Sequence, residues 1–239
     1  YLLDREGKAL TGIQSLDTRA ATLASELDAR VGRAAHSVAR QRPWPAQTPM
    51  LLAWLKRHRP QVYARAGTLL FAKDVLTWQL TGERASEISD MSGAGLLRMP
   101  ECTYDSGLLA LYGLEDAEPM LPPLHLPSNV VGTVTARAAS ETGLAQDTAV
   151  VAGYFDVVAS ALGSGVAGDG EASIVAGSWS INQVFSDAPA NDDRVFMVAA
   201  YAPGRFVNMD NSATSAVNLE WYVRALVERG GHYEDPFGY

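Results

Sequence analysis

The sequence is poor in cysteine and in basic residues. It contains a single cysteine, Cys102, among 239 residues, which excludes an internal disulfide and predicts a reducing, cytoplasmic location. The formal net charge is −8, and no basic cluster occurs, so a nucleic-acid or anionic-membrane partner is not expected. No apolar run approaches the roughly 20 residues that a membrane-spanning helix requires.

Two common kinds of site are also missing from the sequence. The four histidines and Cys102 are scattered without ligand spacing, so no metal site is predicted from side chains alone. The only lysines are Lys8, Lys56 and Lys73, and none lies in a GxxxxGK[ST] motif, which excludes an intact P-loop. Apolar residues are plentiful: 47% of the chain is hydrophobic, enough for one large domain or two small ones.

The most informative stretch runs from residue 148 to residue 180. It predicts a strand at 149–152, a helix of small residues up to Leu162, a glycine-rich turn and a second strand at 172–176. Residues 163–168 match the pattern GxGxxG, but a helix precedes these glycines and a strand follows them. A dinucleotide-binding loop needs the opposite order, so we interpret the glycines as a helix stop and connector.

Polar groups follow both predicted strands. Asp156 comes after what we interpret as a buried strand, where open α/β sheets place ligand-binding groups, but it could equally cap the following helix. Gly177 and Ser178 follow the second strand and could bring backbone N–H groups close to an anion, although alone they favour an ordinary hairpin turn. The pairing of an acid with a phosphate-type turn favours a functional role for both.

This arrangement resembles the FGGY carbohydrate kinases, which belong to the actin-like, ribonuclease H-like ATPase superfamily. The family's centre is a strand, Gly-x-x-Asp, a small-residue helix ending in Gly-x-Gly, and a strand ending in Gly-Thr or Gly-Ser; residues 153–156, 163–165 and 177–178 correspond. The resemblance implies that Asp156 is the catalytic base for a sugar hydroxyl and that Gly177 and Ser178 form a second phosphate loop. It also implies ATP and Mg²⁺ as cofactors.

Further blocks extend the resemblance over nearly the whole chain. Residues 73–83 resemble the family's Lys-Asp-x-Leu…Leu-Thr-Gly-Glu stretch, in which Lys73 and Asp74 are interpreted as a solvated or salt-bridged pair. Residues 48–55 resemble Thr-x-x-Lys-Leu-x-Trp-Leu, with Leu51 in place of the lysine. The candidate sugar contacts outside the centre are Trp44, Gln47 and Asp17. Asp17 is a candidate together with Arg19, and its alternative role is to cap the following helix.

Two local predictions concern the ends of elements. Thr48 is expected to be the N-cap of a helix, with Pro49 at its first position. After Ser180, residues 181–185, 195–201 and 206–209 predict the strands of a meander.

The fold class predicted by the resemblance is α/β, a ribonuclease H-like, actin-like ATPase fold with two domains that are both incomplete in this chain. Residues 1–168 would form part of the sugar-binding N-terminal domain, and residues 169–239 would begin the nucleotide-binding C-terminal domain. The family's Asp-x-Gly-Thr first phosphate loop does not occur. The chain is therefore expected to be part of a longer protein.

The implied function is ATP-dependent phosphorylation of a sugar hydroxyl, with a small-molecule sugar as partner. Residues 155–157 and 218–221 resemble the subgroup that acts on L-xylulose and related ketoses, which favours a ketopentose such as xylulose. One alternative is a sugar-binding or regulatory protein that has lost phosphoryl transfer, and another is an actin-like ATPase that needs no sugar. A homodimer is left open as the assembly.

Overall fold

The computed structural model describes residues 1–166, 168–177 and 179–227. The helices are α1 (Ala21–Ala39), α2 (Thr48–His58), α3 (Pro60–Arg65), α4 (Ala72–Thr81), α5 (Ile88–Gly93), α6 (Ser106–Leu111), α7 (Ala136–Thr142), α8 (Asp156–Gly163) and α9 (Ala216–Tyr222), with a 3₁₀ turn at Glu115–Met120 and a π-helical turn at Val223–Val227. The strands are β1 (Leu2–Leu3), β2 (Ala9–Thr11), β3 (Thr68–Leu69), β4 (Ser86–Glu87), β5 (Leu97–Arg98), β6 (Thr103–Tyr104), β7 (Leu124–His125), β8 (Val130–Thr133), β9 (Ala149–Val151), β10 (Ala172–Ala176), β11 (Ser180–Ser186), β12 (Met197–Ala202) and β13 (Arg205–Ser212).

The largest sheet is antiparallel and has the strand order β10-β11-β13-β12. The predicted meander is therefore wrong in one respect, because β11 pairs with β13 and not with β12. The long connection at 187–196 allows β12 to lie one strand away from β11, with β13 between them. β12 and β13 are instead joined by a tight turn in which Gly204 has φ +68°. The smaller sheet β2-β1-β3 is also antiparallel.

The edge strand β12 is buried on both faces, which explains its continuous apolar run. Val198 and Ala200 belong to a large core with α1, α2, α5 and α6, whereas Met197, Ala199 and Tyr201 belong to a second core. Val158 and Ala161 of α8 complete that second core together with residues of β11 and β13. The sheet thus lies between the helical part of the chain and α8, which packs against it.

Most local predictions agree with the structure. A helix was expected up to Leu162 and a strand at 172–176, and α8 and β10 occupy these positions. α8 ends at Gly163 and Gly165 has φ +85°, so these glycines terminate a helix as predicted; Ala167 lies outside the described residues.

Two local predictions are wrong. α2 begins at Thr48, so Gln47 is the capping position and Pro49 is the second helical residue. The strand before Asp156 is not buried: β9 pairs only with β8 within the described residues, and Ala149 and Val151 are exposed. A two-stranded ladder cannot cover both of its faces, which is why the apolar run was misleading.

None of the helices in the described residues combines the length and apolar character needed to cross a bilayer.

Candidate active site

Asp156 is the first residue of α8 and lies at the end of a short loop that follows β9. Gly153 in this loop has φ +80°, a left-handed conformation that favours glycine. The Asp156 side chain is exposed, and its Oδ1 accepts a hydrogen bond from its neighbour's N–H at 2.7 Å. A carboxylate in this position is open to a substrate that approaches the start of the helix.

The loop before Asp156 is held by hydrogen bonds from both sides. The N–H of Gly153 donates to the carbonyl of Pro127 at 2.9 Å. The N–H of Phe155 donates to the Oγ of Ser89, a fully buried serine in α5, at 2.8 Å. Phe155 also packs against Gly93, where an added Cβ would come within 3.2 Å of its ring. The backbone that carries Asp156 is therefore fixed to α5.

Beneath this loop lies a buried cluster of charges. The Nζ of Lys73 lies 2.7 Å from Asp74, 3.2 Å from Glu87 and 3.0 Å from Asp90. Asp74 and Glu87 are almost fully buried, and Asp90 is only 11% exposed. The pair of Lys73 and Asp74 is thus salt-bridged, as one of its two interpretations predicted. Its solvated alternative is wrong.

The cluster shifts the pKa values of two of its members. Burial by itself lowers the pKa of Lys73, but the three carboxylates outweigh burial and raise this pKa above its ordinary value. Burial raises the pKa of Asp90 to about 7; Lys73 opposes this rise, and the charges of Glu87 and Asp74 add to it. Three carboxylates share one ammonium group, so one of them holds a proton more readily than an isolated aspartate.

Glu87 connects the charge cluster to α5. Its carboxylate accepts the N–H of Ser89 and the N–H of Asp90, which caps the first turn of α5. The hydroxyl of Ser89 donates to the same carboxylate at 2.8 Å. Lys73 is therefore linked to the N–H of Phe155 by an ion pair with Glu87 and by the two hydrogen bonds of the Ser89 hydroxyl.

A second serine of α5 reaches the large sheet. The Oγ of Ser92 accepts the N–H of Ala200 in β12 at 2.8 Å, and Ser92 is almost fully buried. The carbonyl of Ser92 accepts the Nε2 of Gln41, whose Oε1 accepts the Nε2 of Gln47 at 3.0 Å. α5 therefore contacts the Asp156 loop through one serine and the sheet through another.

The predicted sugar contacts lie in different surroundings. Gln47 is 1% exposed and belongs to the buried amide chain, with no hydrogen-bond partner for its Oε1 in the described part of the protein. Trp44 packs against Phe196 with ring centroids 5.1 Å apart and contacts the second core, which also includes Phe155. Trp44 is therefore on the same side of the molecule as α8, whereas Gln47 is part of its support.

Asp17 is paired with Arg19 and does not cap α1, whose N-cap is Ala20. The Nη2 of Arg19 lies 2.7 Å from Asp17, and the Arg19 guanidinium lies over the Trp54 ring. The hydrogen bonds from Arg19 lower the pKa of Asp17 against a small opposing effect of burial. The alternative role of Asp17 as a helix cap is wrong.

Gly177 begins the connection between β10 and β11, which is a hairpin as the simpler interpretation predicted. Its N–H donates to the carbonyl of Trp179, and its carbonyl accepts the N–H of Ala216. In this conformation the N–H of Gly177 is engaged within the turn. Ser178 lies outside the described residues, so the structure bears only on the first half of the predicted phosphate loop.

Sequence reasoning missed the buried network of Glu87, Ser89 and Ser92. The sequence contains little signal for it, because residues 86–93 contain only two apolar side chains, Ile88 and Met91, and a segment of this composition is normally solvated. As for metals, the described ranges contain no group of three or more His, Cys, Asp or Glu side chains arranged to hold an ion. The carboxylates near Lys73 surround an ammonium group instead.

Comparison with known proteins agrees with this architecture. A relative from Pasteurella multocida, a probable L-xylulose kinase, is 38% identical over 228 residues, covering 94% of this chain and 47% of its own length. The L-xylulose/3-keto-L-gulonate kinase of Escherichia coli is 32% identical over 227 residues, covering 93% of this chain and 46% of its own length. The chain thus spans about half the length of the curated relatives it matches.

The fold is also that of solved sugar kinases. The crystal structure of xylulose kinase from Rhodospirillum rubrum superposes with a TM-score of 0.86 and 28% identity, covering 96% of this chain and 47% of that one. This similarity confirms the predicted α/β fold of the actin-like superfamily. A sequence model of the FGGY family of carbohydrate kinases, N-terminal domain, matches residues 1–163. The chain therefore belongs to the FGGY family of carbohydrate kinases.

Proposed function

We propose that the intact protein phosphorylates a hydroxyl group of a sugar with ATP, and that Asp156 is the general base. The observation that carries this proposal is the placement of Asp156: an exposed carboxylate at the start of α8, after a loop that hydrogen bonds fix from two sides. Family membership supports the reaction class. A fixed but accessible carboxylate suits proton transfer, since a base must lie within hydrogen-bond reach of the hydroxyl it deprotonates.

In the proposed reaction, the Asp156 carboxylate takes the proton of the sugar hydroxyl as its oxygen attacks the γ-phosphorus of ATP. The bond between the γ-phosphorus and the β,γ-bridging oxygen breaks, so that ADP leaves with the bridging oxygen and a phosphate ester forms on the sugar. The proton on Asp156 then passes to solvent. Such transfers depend mainly on positioning and on stabilisation of charge, which the fixed loop serves.

ATP and Mg²⁺ are the proposed cofactors. Mg²⁺ is usually held by one or two carboxylates together with the substrate phosphates, and it keeps several waters. Within the described residues there is no three-ligand cage, so phosphates and waters would supply most of the ligands, and Asp156 stays available as the base. When bound, Mg²⁺ would neutralise charge on the phosphates.

The remaining site assignments follow from the same proposal. Trp44, which contacts the core beneath α8, and Asp17 would line the sugar pocket, with Gln47 supporting it from the interior. Gly177 and Ser178 would approach the phosphates of ATP after a rearrangement of the turn. Residues 1–168 would belong to the sugar-binding domain and residues 169–239 to the nucleotide-binding domain, in a cytoplasmic enzyme.

A ketopentose such as xylulose is the proposed substrate. The names of two relatives include L-xylulose, and one of these names also includes 3-keto-L-gulonate. L-Xylulose is a keto sugar, and 3-keto-L-gulonate is a keto sugar acid of similar size. The proposal therefore places this chain with ketose kinases.

The test is ADP formation by the intact protein with MgATP and a panel of ketopentoses, ketohexoses, keto sugar acids and polyols. We expect ADP formation to require a ketose and to be fastest with a ketopentose. Sugar-independent ADP release would favour the ATPase alternative. Sugar binding without ADP formation, measured by calorimetry, would favour the non-catalytic alternative.

A further inference from the structure

The hydroxyl of Ser89 occupies a position between the charge cluster and the loop of Asp156. Ser89 is fully buried, and its Oγ lies 2.8 Å from Glu87 Oε1 and 2.8 Å from the nitrogen of Phe155. Phe155 directly precedes Asp156 and is the N-cap residue of α8. The hydroxyl therefore joins a buried anion to the residue that sets the start of the catalytic helix.

The direction of these two hydrogen bonds follows from their chemistry. A backbone N–H can only donate, so the Ser89 oxygen must accept from Phe155. The hydroxyl proton must then point to Glu87, whose carboxylate can only accept when ionised. A hydrogen bond to a charged acceptor is about twice as strong as a neutral one, which holds the hydroxyl in this orientation.

Glu87 gives this arrangement a rigid support. It is fully buried, it accepts the N–H groups of Ser89 and Asp90, and Lys73 Nζ lies 3.2 Å away. A carboxylate held by this many donors has little freedom to move. The charge cluster therefore fixes the position of the Ser89 oxygen through Glu87.

Other contacts fix the Asp156 segment at different points. Gly153 is bonded to Pro127 on the side of β9, and Gln183 of β11 donates through Nε2 to the carbonyl of Val157 at 3.0 Å. Phe155 and Val157 both adjoin Asp156, and the bond from Phe155 to Ser89 is the one that holds the N-cap side of Asp156. Loss of this bond would free the N-cap backbone while leaving the helix docked.

We propose that Ser89 is a positioning residue for Asp156: its hydroxyl, oriented by Glu87, fixes the N-cap of α8 and thereby the reach of the catalytic carboxylate. This inference rests on the proposed function of Asp156 as general base. Ser89 would not touch the sugar or ATP. Its effect would pass through the backbone of Phe155.

The test uses Ser89→Ala in the intact protein, with Ser92→Ala as the matched control. Both substitutions remove a buried serine hydroxyl of α5 that accepts a backbone N–H, but Ser92 bonds to β12 and not to the Asp156 loop. A displacement of about 1 Å can cost up to roughly 100-fold in rate, so we expect Ser89→Ala to lower kcat by about 10- to 100-fold. The KM for the sugar should change little, and Ser92→Ala should lower Tm similarly while keeping kcat close to that of the wild type.

A second measurement combines Ser89→Ala with Asp156→Asn. If Ser89 acts through Asp156, the double variant should have the same residual kcat as Asp156→Asn alone, because there is no base left to position. If kcat fell equally in Ser89→Ala and Ser92→Ala, in proportion to the fall in Tm of each variant, the inference would be overturned and Ser89 would be a packing residue. The inference would also be overturned if Ser89→Ala lowered kcat in the Asp156→Asn background by the same factor as in the wild type.

Failure of the proposed function would look different. If Asp156→Asn alone kept the wild-type rate, the assignment of the base would be wrong whatever Ser89→Ala did. If Asp156→Asn lost activity but Ser89→Ala did not, the base would stand and only the positioning role would fall.

Discussion

Lys73 is the cation that the structure places against Asp74, Glu87 and Asp90, all within 3.2 Å of its Nζ. Charges removed from water are tolerated when they are paired and hydrogen-bonded, and removal of one partner leaves an uncompensated buried charge. The stability of this part of the chain therefore depends on one side chain. The same cluster supports Glu87 and, through it, the loop of Asp156.

Replacement of Lys73 by methionine should strongly destabilise the protein. The substitution keeps an unbranched side chain but removes the ammonium group, so we expect a loss of about 3–5 kcal/mol in the free energy of unfolding. Chemical denaturation of the intact protein at neutral pH measures this loss.

Arg57→Met provides the matched control. Arg57 lies 3.4 Å from Glu26, and both side chains are more than half exposed, so its loss should cost no more than about 1 kcal/mol. Similar losses for the two variants would show that the Lys73 cluster is not the supporting element described here.

Asp90 should make stability depend on pH. Burial raises its pKa to about 7, although Lys73 opposes the rise and Glu87 and Asp74 add to it. An aspartate in the unfolded chain has a pKa of about 3.9, so between these pH values the folded state binds the proton more tightly. Its stabilising contribution is therefore complete below about pH 4 and is lost as the pH rises towards 7.

Asp90→Asn removes this titration. As the pH rises from 4 to 8 the wild type loses the contribution of Asp90 and the variant does not, so we expect the free energy of unfolding of the variant minus that of the wild type to increase by about 2–4 kcal/mol. Denaturation curves for both proteins at these pH values provide the comparison. A difference that stays constant with pH would contradict the assignment of the raised pKa to Asp90.

Among the elements, α5 joins two parts of the fold. Its first turn contacts the Asp156 loop through Ser89, and its last turn contacts the edge of the large sheet through Ser92. The N–H of Ala200 is on the outer edge of β12, where the described residues provide no further strand of the sheet to accept it. The Ser92 hydroxyl supplies the acceptor that an edge strand otherwise lacks.

Ser92→Ala should therefore weaken the attachment of β12. Loss of a buried hydrogen bond that leaves one N–H unsatisfied costs about 1–3 kcal/mol, which is the expected loss in the free energy of unfolding. Hydrogen exchange at the amide of Ala200 should become faster, while exchange at Val207, in the neighbouring strand, changes only as much as global stability does. Unchanged exchange at Ala200 would contradict the proposed contact.

Some elements could be predicted from the sequence because their signals are local. α7 lies between a threonine cap and Gly143, and α4 ends at Gly82 with φ +83°, so the capping residues at 135–143 and at 82 mark these helices directly. The strand order β10-β11-β13-β12 could not be read, because the choice of pairing partner depends on contacts between segments far apart in sequence. The exposure of β9 was missed for the same reason.

For the candidate site, the sequence indicated the acid but not its support. Asp156 was singled out through the order of strand, acid, helix and turn that the family shares. Glu87 and Ser89 are neighbours in sequence, but Lys73 and Phe155 are distant from them, and only the folded chain brings these residues together. Short-range sequence patterns carry no information about contacts between residues that are far apart in the chain.

At the scale of the whole molecule, α8 and the large sheet share one core, and α5 joins them to the helical part of the chain. Asp156 lies at the point where these parts meet. In the proposed reaction this placement lets a rigid interior fix an exposed carboxylate, so the fold supplies the positioning on which phosphoryl transfer depends.

The most direct test compares catalysis with sugar binding in Asp156→Asn of the intact protein. The amide keeps the size of the side chain but cannot accept the hydroxyl proton, so kcat for ketopentose-dependent ADP formation should fall by about 10²- to 10⁴-fold. The Kd for the sugar, measured by calorimetry, should change by only a few-fold. A variant that keeps its rate, or one that loses rate and sugar affinity in equal measure, would contradict the role of Asp156 as the base.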